Sequence, residues 1–202
     1  MSTTIYVARH ASPDWSRTDI PYDVPPGPPL TPRGEGEGTL LGEFLHRQGV
    51  QHIVSSPMQR AHQTAQLAAA VMRVEAEVDP RIIEQRNDEK NLQVVERVRV
   101  FWADITKRAE QHGPLCIVTH GGVLGALLWL HDVTDETHPN HRFDHNTWAP
   151  PSGAWSAHRA TGTASWRWKL DYIPRLNKHN LFRDDLASWT FCSPNIKYGC
   201  DT

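Results

Sequence analysis

The sequence predicts an α/β fold: a three-layer αβα sandwich around a mostly parallel sheet, with a C-terminal hairpin. Short apolar segments alternate with segments of helical periodicity over the first 130 residues, and after residue 150 the pattern changes to strand-like alternation. Strands that alternate with helices form parallel sheets that are covered on both faces. A length of 202 residues suits one domain. We therefore expect a single domain over 1–202, with a Trp-rich C-terminal segment from about residue 148.

The N-terminal half alternates strand and helix signals. Branched and aromatic residues predict a buried strand, apolar residues at helical spacing predict a helix, and dense proline excludes a helix. In chain order these signals give a strand at Thr4–Ala8, a Pro/Gly-rich loop at Asp19–Gly34, a helix around Leu40–Leu45 that ends at Gly49, a strand at His52–Ser55 and a helix at Gln59–Met72.

The second half continues this alternation and then departs from it. Apolar residues recur at helical spacing from Val94 to Ile105, Leu115–Thr119 is an apolar strand, and Val123–Leu130 continues as a helix. Ala154–Ala160 and Ser165–Asp171 flank a short turn, and Trp166, Trp168 and Leu170 occupy alternate positions of the later segment. Such alternation predicts a hairpin added to the sheet, with its Trp side chains packed against one face.

Composition excludes several classes of protein. The net charge of -2 and the pI near 6.6 argue against a nucleic-acid-binding surface. No stretch reaches the ~18 apolar residues of a membrane span, and the N-terminus does not resemble a signal peptide. Cys116, Cys192 and Cys200 form neither a metal pattern nor a disulfide framework. We expect a cytoplasmic protein without a cofactor.

Chemically reactive residues follow three of the predicted strands. Arg9-His10 follows the first, Ser55-Ser56-Pro57 and then Arg60 follow the second, and Thr119-His120-Gly121-Gly122 follows the third. Ligands of open parallel sheets bind at the carboxyl ends of the strands. Guanidinium groups, imidazoles and the N–H groups of helix starts at one sheet edge are the components of a phosphate site.

These motifs together resemble the histidine phosphatase superfamily, in particular its phosphoglycerate-mutase-like branch. VARHA matches the family's strand and Arg-His-Gly, and LTPRG matches its Leu-Thr-x-x-Gly helix entry. SSPMQRAHQTA matches Ser-Ser-x-x-x-Arg-x-x-x-Thr-Ala, Arg81-Ile82-Ile83-Glu84 is similar to Arg-Leu-x-Glu, and VTHGG matches the final Thr-His-Gly-Gly. The resemblance covers residues 4 to 130 in the family's order.

The resemblance implies a role for each matched residue. His10 is expected to be the nucleophile, with neighbouring guanidinium charge keeping its imidazole neutral. Arg9, Arg60 and His120 are expected to hold the phosphoryl oxygens, with the N–H of Gly121 as a further donor. Glu84 is expected to be the general acid and base, with Asp88 and Glu89 as competing candidates.

Three departures from the family pattern bear on the substrate. Ala11 replaces the glycine of the first motif. Ser16 stands where the family has an Asn that contacts phosphate, so it is expected to bind substrate with that contact altered. The capping insertion after Glu84 is almost absent, because the next amphipathic helix follows within a few residues. We therefore expect a more open pocket, with substrate contacts from the proline-rich loop or the C-terminal third.

The leading functional prediction is phosphomonoester hydrolysis through a phosphohistidine, by a metal-independent phosphohydrolase of the histidine acid phosphatase type. A phosphoglycerate-type phosphomutase and a non-catalytic phosphate-binding module are the alternatives. The predicted partner is a phosphorylated substrate, with no nucleic acid and no membrane, and the edge hairpin could pair two subunits. His138, His141 and His145 could be imagined as metal ligands, but their spacing matches no standard site, so we expect no metal.

Overall fold

The computed structural model describes residues 2–134, 136 and 147–175. A short 3₁₀ turn at Pro80–Ile82 lies between the third strand and the third helix. The other elements, in chain order, are β1 (Thr3–Arg9), α1 (Pro32–Arg47), β2 (His52–Ser55), α2 (Gln59–Met72), β3 (Ala76–Val78), α3 (Asn91–His112), β4 (Leu115–Thr119), α4 (Gly121–Leu130), β5 (Ala154–Arg159) and β6 (Arg167–Tyr172).

The strands of the described residues form one sheet in the order β3-β2-β4-β1-β5-β6. The pairs among β3, β2, β4 and β1 are parallel, whereas β5 pairs antiparallel with both β1 and β6. The sheet is thus mostly parallel and ends in the predicted hairpin. β1 and β4, which carry the two histidine motifs, are neighbours in register, with Arg9 opposite Thr119.

The two faces of the sheet bury separate apolar clusters. Tyr6, Ala8 and Val118 point to the face that α1 and α2 cover, and Ile5, Val7 and Ile117 point to the face that α3 and α4 cover. This alternation follows from the period of two along a strand. The predicted three-layer arrangement is confirmed.

Helix α1 begins inside the segment predicted to be a loop. The prediction extended the Pro/Gly-rich loop to Gly34, but the helix starts at Pro32. Proline is well suited to the first turn of a helix, because the N–H that it lacks would have no helical partner there. The Thr31 hydroxyl accepts a hydrogen bond from the Gly34 N–H at 3.0 Å and caps the helix. β3, only three residues long, was not predicted.

The Trp residues of the hairpin pack as the alternation indicates. Trp168 is buried and stacks on Trp102 of α3 at 5.3 Å between ring centroids, and Trp166 meets the same ring edge-on at 5.0 Å. Trp155 is buried on the preceding strand. Trp189, Cys192 and Cys200 lie outside the described residues. None of the helices in the described ranges is both long and apolar enough to span a membrane.

Candidate active site

The carboxyl ends of β2, β4 and β1 meet at one edge of the sheet. The backbone N–H of His10 donates to the Thr119 carbonyl at 2.8 Å, and the N–H of Ser56 donates to the Val118 carbonyl at 3.0 Å. The three motifs that follow β1, β2 and β4 therefore begin side by side at this edge. The rings of His10 and His120 consequently lie 5.2 Å apart between centroids.

His10 presents one ring nitrogen as a nucleophile. Its Nδ1 lies 2.7 Å from the Ala11 carbonyl, which can only accept a hydrogen bond, so the proton is on Nδ1 and Nε2 keeps its lone pair. The residue is 1% exposed. Burial, followed by the positive charges of Arg60 and Arg9, holds the pKa of His10 well below its usual value. The guanidinium charges that the sequence predicts contribute to this shift, but burial is the larger cause.

His120 presents the opposite nitrogen. Its Nε2 lies 2.7 Å from the Ser56 hydroxyl, which also accepts the Met58 N–H at 3.2 Å. The Ser56 hydroxyl can donate its own hydrogen to Nε2 while it accepts the Met58 N–H, and in that arrangement the ring proton lies on Nδ1, which is buried without a partner. Burial and the charge of Arg60 hold the pKa of His120 well below its usual value. His120 is thus a neutral donor beside His10.

Both arginines keep unused donors at this edge. Arg60 is completely buried, its Nη1 donates to the Tyr22 carbonyl at 2.9 Å, and its Nε and Nη2 are buried without partners. Arg9 donates through Nη1 to the Ala149 carbonyl at 3.0 Å, and its Nε is buried without a partner. Buried donors without acceptors are costly. Guanidinium groups arranged in this way form a site for an oxyanion.

Glu84 lies on the other side of His120. Its Oε2 is 3.9 Å from Nδ1 of His120, and its Oε1 accepts the Gln85 N–H at 3.0 Å. Burial raises the pKa of the Glu84 carboxyl, against the opposing effects of that hydrogen bond and of the arginine charges. A Cβ at Gly122 would lie 2.7 Å from Oε1, so the glycine provides the space for this carboxyl group. A carboxyl group that retains its proton here can act as an acid.

The two competing carboxylates have other partners. Asp88 is exposed and pairs with Arg86 at 3.4 Å. Glu89 binds Arg97 through both oxygens at 2.6 and 2.9 Å, and this lowers the pKa of Glu89. Among the three candidates for the acid, the structure brings only Glu84 next to the histidine pair.

The remaining predicted residues differ in their placement. Gly121 is the first residue of α4, so its N–H belongs to the helix start that faces this edge of the sheet. Ser16 is exposed, and its hydroxyl and N–H both bind the Asp14 carboxylate, at 2.6 and 3.0 Å. The structure therefore does not bring the Ser16 side chain to the histidine pair.

The contacts that Tyr22 and Ser56 make at the site were not predicted. The prediction of a more open pocket is wrong at His10, the expected nucleophile. The Pro/Gly-rich loop covers His10, with the Tyr22 hydroxyl 3.3 Å from its Nε2. Asp23, the next residue, accepts a hydrogen bond from the Asn87 side chain in the segment after Glu84. Tyr22 is the sole aromatic residue between Trp15 and Phe44, which is the one sequence signal that distinguishes it. Ser56 was placed at the strand end, but its contact with His120 depends on the tertiary structure.

No group of three or more His, Cys, Asp or Glu side chains suited to a metal ion occurs within the ranges that the structure describes. His138, His141 and His145 lie outside those ranges.

Comparison with known sequences identifies proteins that are similar to this chain. The profile of the histidine phosphatase superfamily, branch 1, matches residues 5–90. The chain is 31% identical over 83 residues to a probable phosphoglycerate mutase GpmB of Serratia proteamaculans, covering 40% of this chain and 37% of that protein. It is 26% identical over 157 residues to the probable GpmB of an Enterobacter species, covering 61% of this chain and 72% of that one.

Comparison with solved structures extends the similarity of fold over most of the chain. A mycobacterial glucosyl-3-phosphoglycerate phosphatase in complex with VO₃ superposes with a TM-score of 0.66 at 19% identity, covering 84% of this chain and 98% of that one. Phosphoglycerate mutase from Bacillus anthracis superposes with a TM-score of 0.66 at 14% identity, covering 85% and 92%. At such identities the comparison shows the fold alone. Together with the profile match over residues 5–90, it shows a chain that is similar to the histidine phosphatase superfamily.

Proposed function

We propose that the protein hydrolyses phosphomonoesters through a phosphohistidine on His10. The observation that carries the proposal is the lone pair on His10 Nε2 beside buried donors of Arg9, Arg60 and His120 that have no acceptor. A lone pair alone suits many roles, and a cationic pocket alone suits binding. Their combination suits attack on a phosphoryl group whose charge spreads over its oxygens in the transition state.

In the first step, the lone pair of His10 Nε2 attacks phosphorus and the bond from phosphorus to the ester oxygen breaks. Arg9, Arg60 and Nδ1 of His120 donate to the non-bridging oxygens. The leaving oxygen takes the proton of Glu84, whose raised pKa keeps it protonated above the usual range of a carboxyl group. This step releases the alcohol and leaves the phosphoryl group on His10.

In the second step, water replaces the alcohol. The Glu84 carboxylate accepts a proton from the water as its oxygen bonds to phosphorus, and the bond from phosphorus to Nε2 breaks with its electrons returning to the imidazole. Inorganic phosphate leaves and Glu84 is protonated again. The two arginines supply the positive charge that a metal ion supplies in other phosphatases. We therefore propose a metal-independent enzyme of the histidine acid phosphatase type.

The test is a rapid quench of the enzyme with ³²P-labelled p-nitrophenyl phosphate. We expect an acid-labile, alkali-stable adduct that maps to the peptide around His10 and is absent from His10→Ala. The control is His158→Ala, which removes an exposed histidine on β5. A fully active His10→Ala protein, or an adduct on another residue, would contradict the proposal.

A phosphomutase is the second candidate, and the closed loop over His10 favours it. A mutase must keep water away from its phosphoenzyme, and the contact between Asp23 and Asn87 joins the two segments that flank the site. Exchange of label between 3-phosphoglycerate and its isomer, measured beside release of inorganic phosphate, separates the two. Exchange that outpaces hydrolysis would identify a mutase.

We also propose a cytoplasmic setting and a small phosphorylated molecule or phosphoprotein as substrate. The near-neutral charge and the cysteine usage of the sequence support the setting. The donors at the site account for binding of the phosphoryl group, and they do not determine which alcohol the phosphate is esterified to.

A further inference from the structure

The proline-rich loop places a tyrosine where the phosphoryl group would have to stand. The Tyr22 hydroxyl oxygen lies 3.3 Å from His10 Nε2. In-line attack needs the reacting atoms about 3 to 3.5 Å apart, so phosphorus would take nearly the same distance from Nε2. The hydroxyl and a reacting phosphoryl group therefore cannot occupy the site together.

The hydroxyl binds the same lone pair that attacks phosphorus. The proton of His10 is committed to the Ala11 carbonyl through Nδ1, so Nε2 can only accept. The Tyr22 hydroxyl is protonated at neutral pH, and burial raises its pKa further. The hydrogen bond therefore runs from the tyrosine to the imidazole and occupies the nucleophile's only free electron pair.

Tyr22 is held in this position from both sides. The Arg60 guanidinium lies over its ring, 3.9 Å from the centroid, and binds its carbonyl at 2.9 Å. On the other side, Trp15 stacks on the ring at 4.3 Å with an interplanar angle of 13°. Gly27 lets the same loop approach closely, because a Cβ there would lie 2.8 Å from Nη1 of Arg60. The loop is thus built around the phosphate-binding arginine.

A polar contact next to Tyr22 ties the loop to the acid segment. The Asn87 side chain donates to the Asp23 carboxylate. A movement of the loop backbone that carries Tyr22 away from His10 would also displace Asp23, the adjoining residue. The loop and the short segment after Glu84 are therefore coupled.

We propose that Tyr22 gates the nucleophile: its hydroxyl and the substrate's phosphoryl group alternate on His10 Nε2, and the Asp23–Asn87 contact holds the loop in the Tyr22-bound position. The gate rests on the proposed function in that it assumes a phosphoryl site at His10. A phosphoryl group gains the free donors of Arg60 and His120 as it displaces the tyrosine. Ligands that cannot engage those donors leave the nucleophile covered.

The first experiment measures binding of inorganic phosphate to Tyr22→Phe by calorimetry. The variant keeps the ring on Arg60 and removes only the hydroxyl, so we expect phosphate to bind about fivefold tighter, the factor that one neutral hydrogen bond contributes. The matched control is Tyr6→Phe, which removes a buried hydroxyl from the contact with Gln48 on the α1 side of the sheet. We expect the control to bind phosphate like the wild type.

Each outcome decides between the roles of the hydroxyl. Weaker binding to Tyr22→Phe would make the hydroxyl a phosphate ligand, and unchanged binding would mean that it does not compete; either result overturns the gate. Absence of phosphate binding in all variants overturns it too. Tighter binding in a protein without phosphatase activity would keep the gate and reject the proposed function.

Asn87→Ala tests the loop contact without touching the phosphoryl site. We expect phosphate binding to tighten by about two- to threefold, because an exposed polar contact is worth less than a buried one. Tightening in Tyr22→Phe but not in Asn87→Ala would reject the role of the loop contact and retain that of the hydroxyl.

Discussion

Gly122→Ala should displace the general acid without removing any functional group. The added Cβ would lie 2.7 Å from Oε1 of Glu84, whereas ordinary contact begins at 3.4 Å, so the carboxyl group must move by the difference of 0.7 Å. That oxygen is also held by the Gln85 N–H at 3.0 Å. A misplacement of about 1 Å at a reacting group costs on the order of 10²-fold in rate. We expect kcat/KM for glycerol phosphate to fall by about 10- to 100-fold.

The aryl substrate is the internal control for this variant. Nitrophenolate leaves readily without a proton, so kcat/KM for p-nitrophenyl phosphate, which reports the first phosphoryl transfer, should fall by less than about threefold. Gly121→Ala adds a methyl group at the adjacent position, where a Cβ meets no atom within 4 Å, and it keeps its N–H. We expect a much smaller difference between the two substrates there. Thermal unfolding of both variants separates a local shift from a loss of fold.

A double variant tests whether Gly122 acts through Glu84. Glu84→Gln removes the acid outright, so adding Gly122→Ala to it should cost little more on glycerol phosphate. Effects of residues that act through one another are not additive. Equal losses on both substrates, or full additivity in the double variant, would refute the inference that Gly122 acts by accommodating Glu84.

Four further outcomes follow from the same geometry. Arg60→Ala should lower kcat on the order of 10²-fold in steady-state assays, because its charge is used most in the transition state. As the pH is lowered, kcat/KM should begin to fall only below pH 6.5, because His10 must be unprotonated to attack and its pKa is lowered. The alkaline limb of kcat/KM on glycerol phosphate should lie above pH 4.5, since Glu84 must keep its proton and its pKa is raised; this limb should be nearly absent on p-nitrophenyl phosphate, whose leaving group needs no proton. Ser56→Ala should lower kcat by about 10-fold with little change in KM, because His120 loses the partner that fixes its tautomer, and Ser56→Thr should restore the rate. Exhaustive treatment with EDTA should leave the activity unchanged; loss that Zn²⁺ or Mg²⁺ restores would contradict metal independence.

Periodicity predicted the elements that depend on local pattern. The bounds of β2 and α2 agree with the prediction, and β4 ends at the residue before His120 as the apolar run indicates. α2 is long and β4 is strongly apolar, so one interpretation dominates for each of them. β3 was missed because its three residues, Ala76 to Val78, carry little apolar signal and are held by pairing with β2.

The residues of the candidate site also fall into two groups, those that the sequence predicted and those that it did not. Residues that act directly, such as His10 and Glu84, stand in motifs that the sequence displays. Tyr22 reaches the nucleophile because a loop folds back over Arg60, and Ser56 contacts His120 because β2 and β4 are neighbours in the sheet. No local pattern encodes either proximity.

The turn that leads into the hairpin does more than connect it to the rest of the chain, because it holds the residues at the end of β1 in place. The Gly153 carbonyl accepts the N–H of Arg9 at 3.0 Å, the N–H of Ser152 donates to the His10 carbonyl at 3.2 Å, and the Arg9 side chain is anchored on the Ala149 carbonyl. A chimera that transfers only residues 5–90, the part that matches the family profile, would import the nucleophile without the backbone that orients it. Recombination that transfers this nucleophile into another protein should therefore preserve the contacts of Arg9 and His10 with the 149–153 turn, because the chemistry depends on residues outside the profile match.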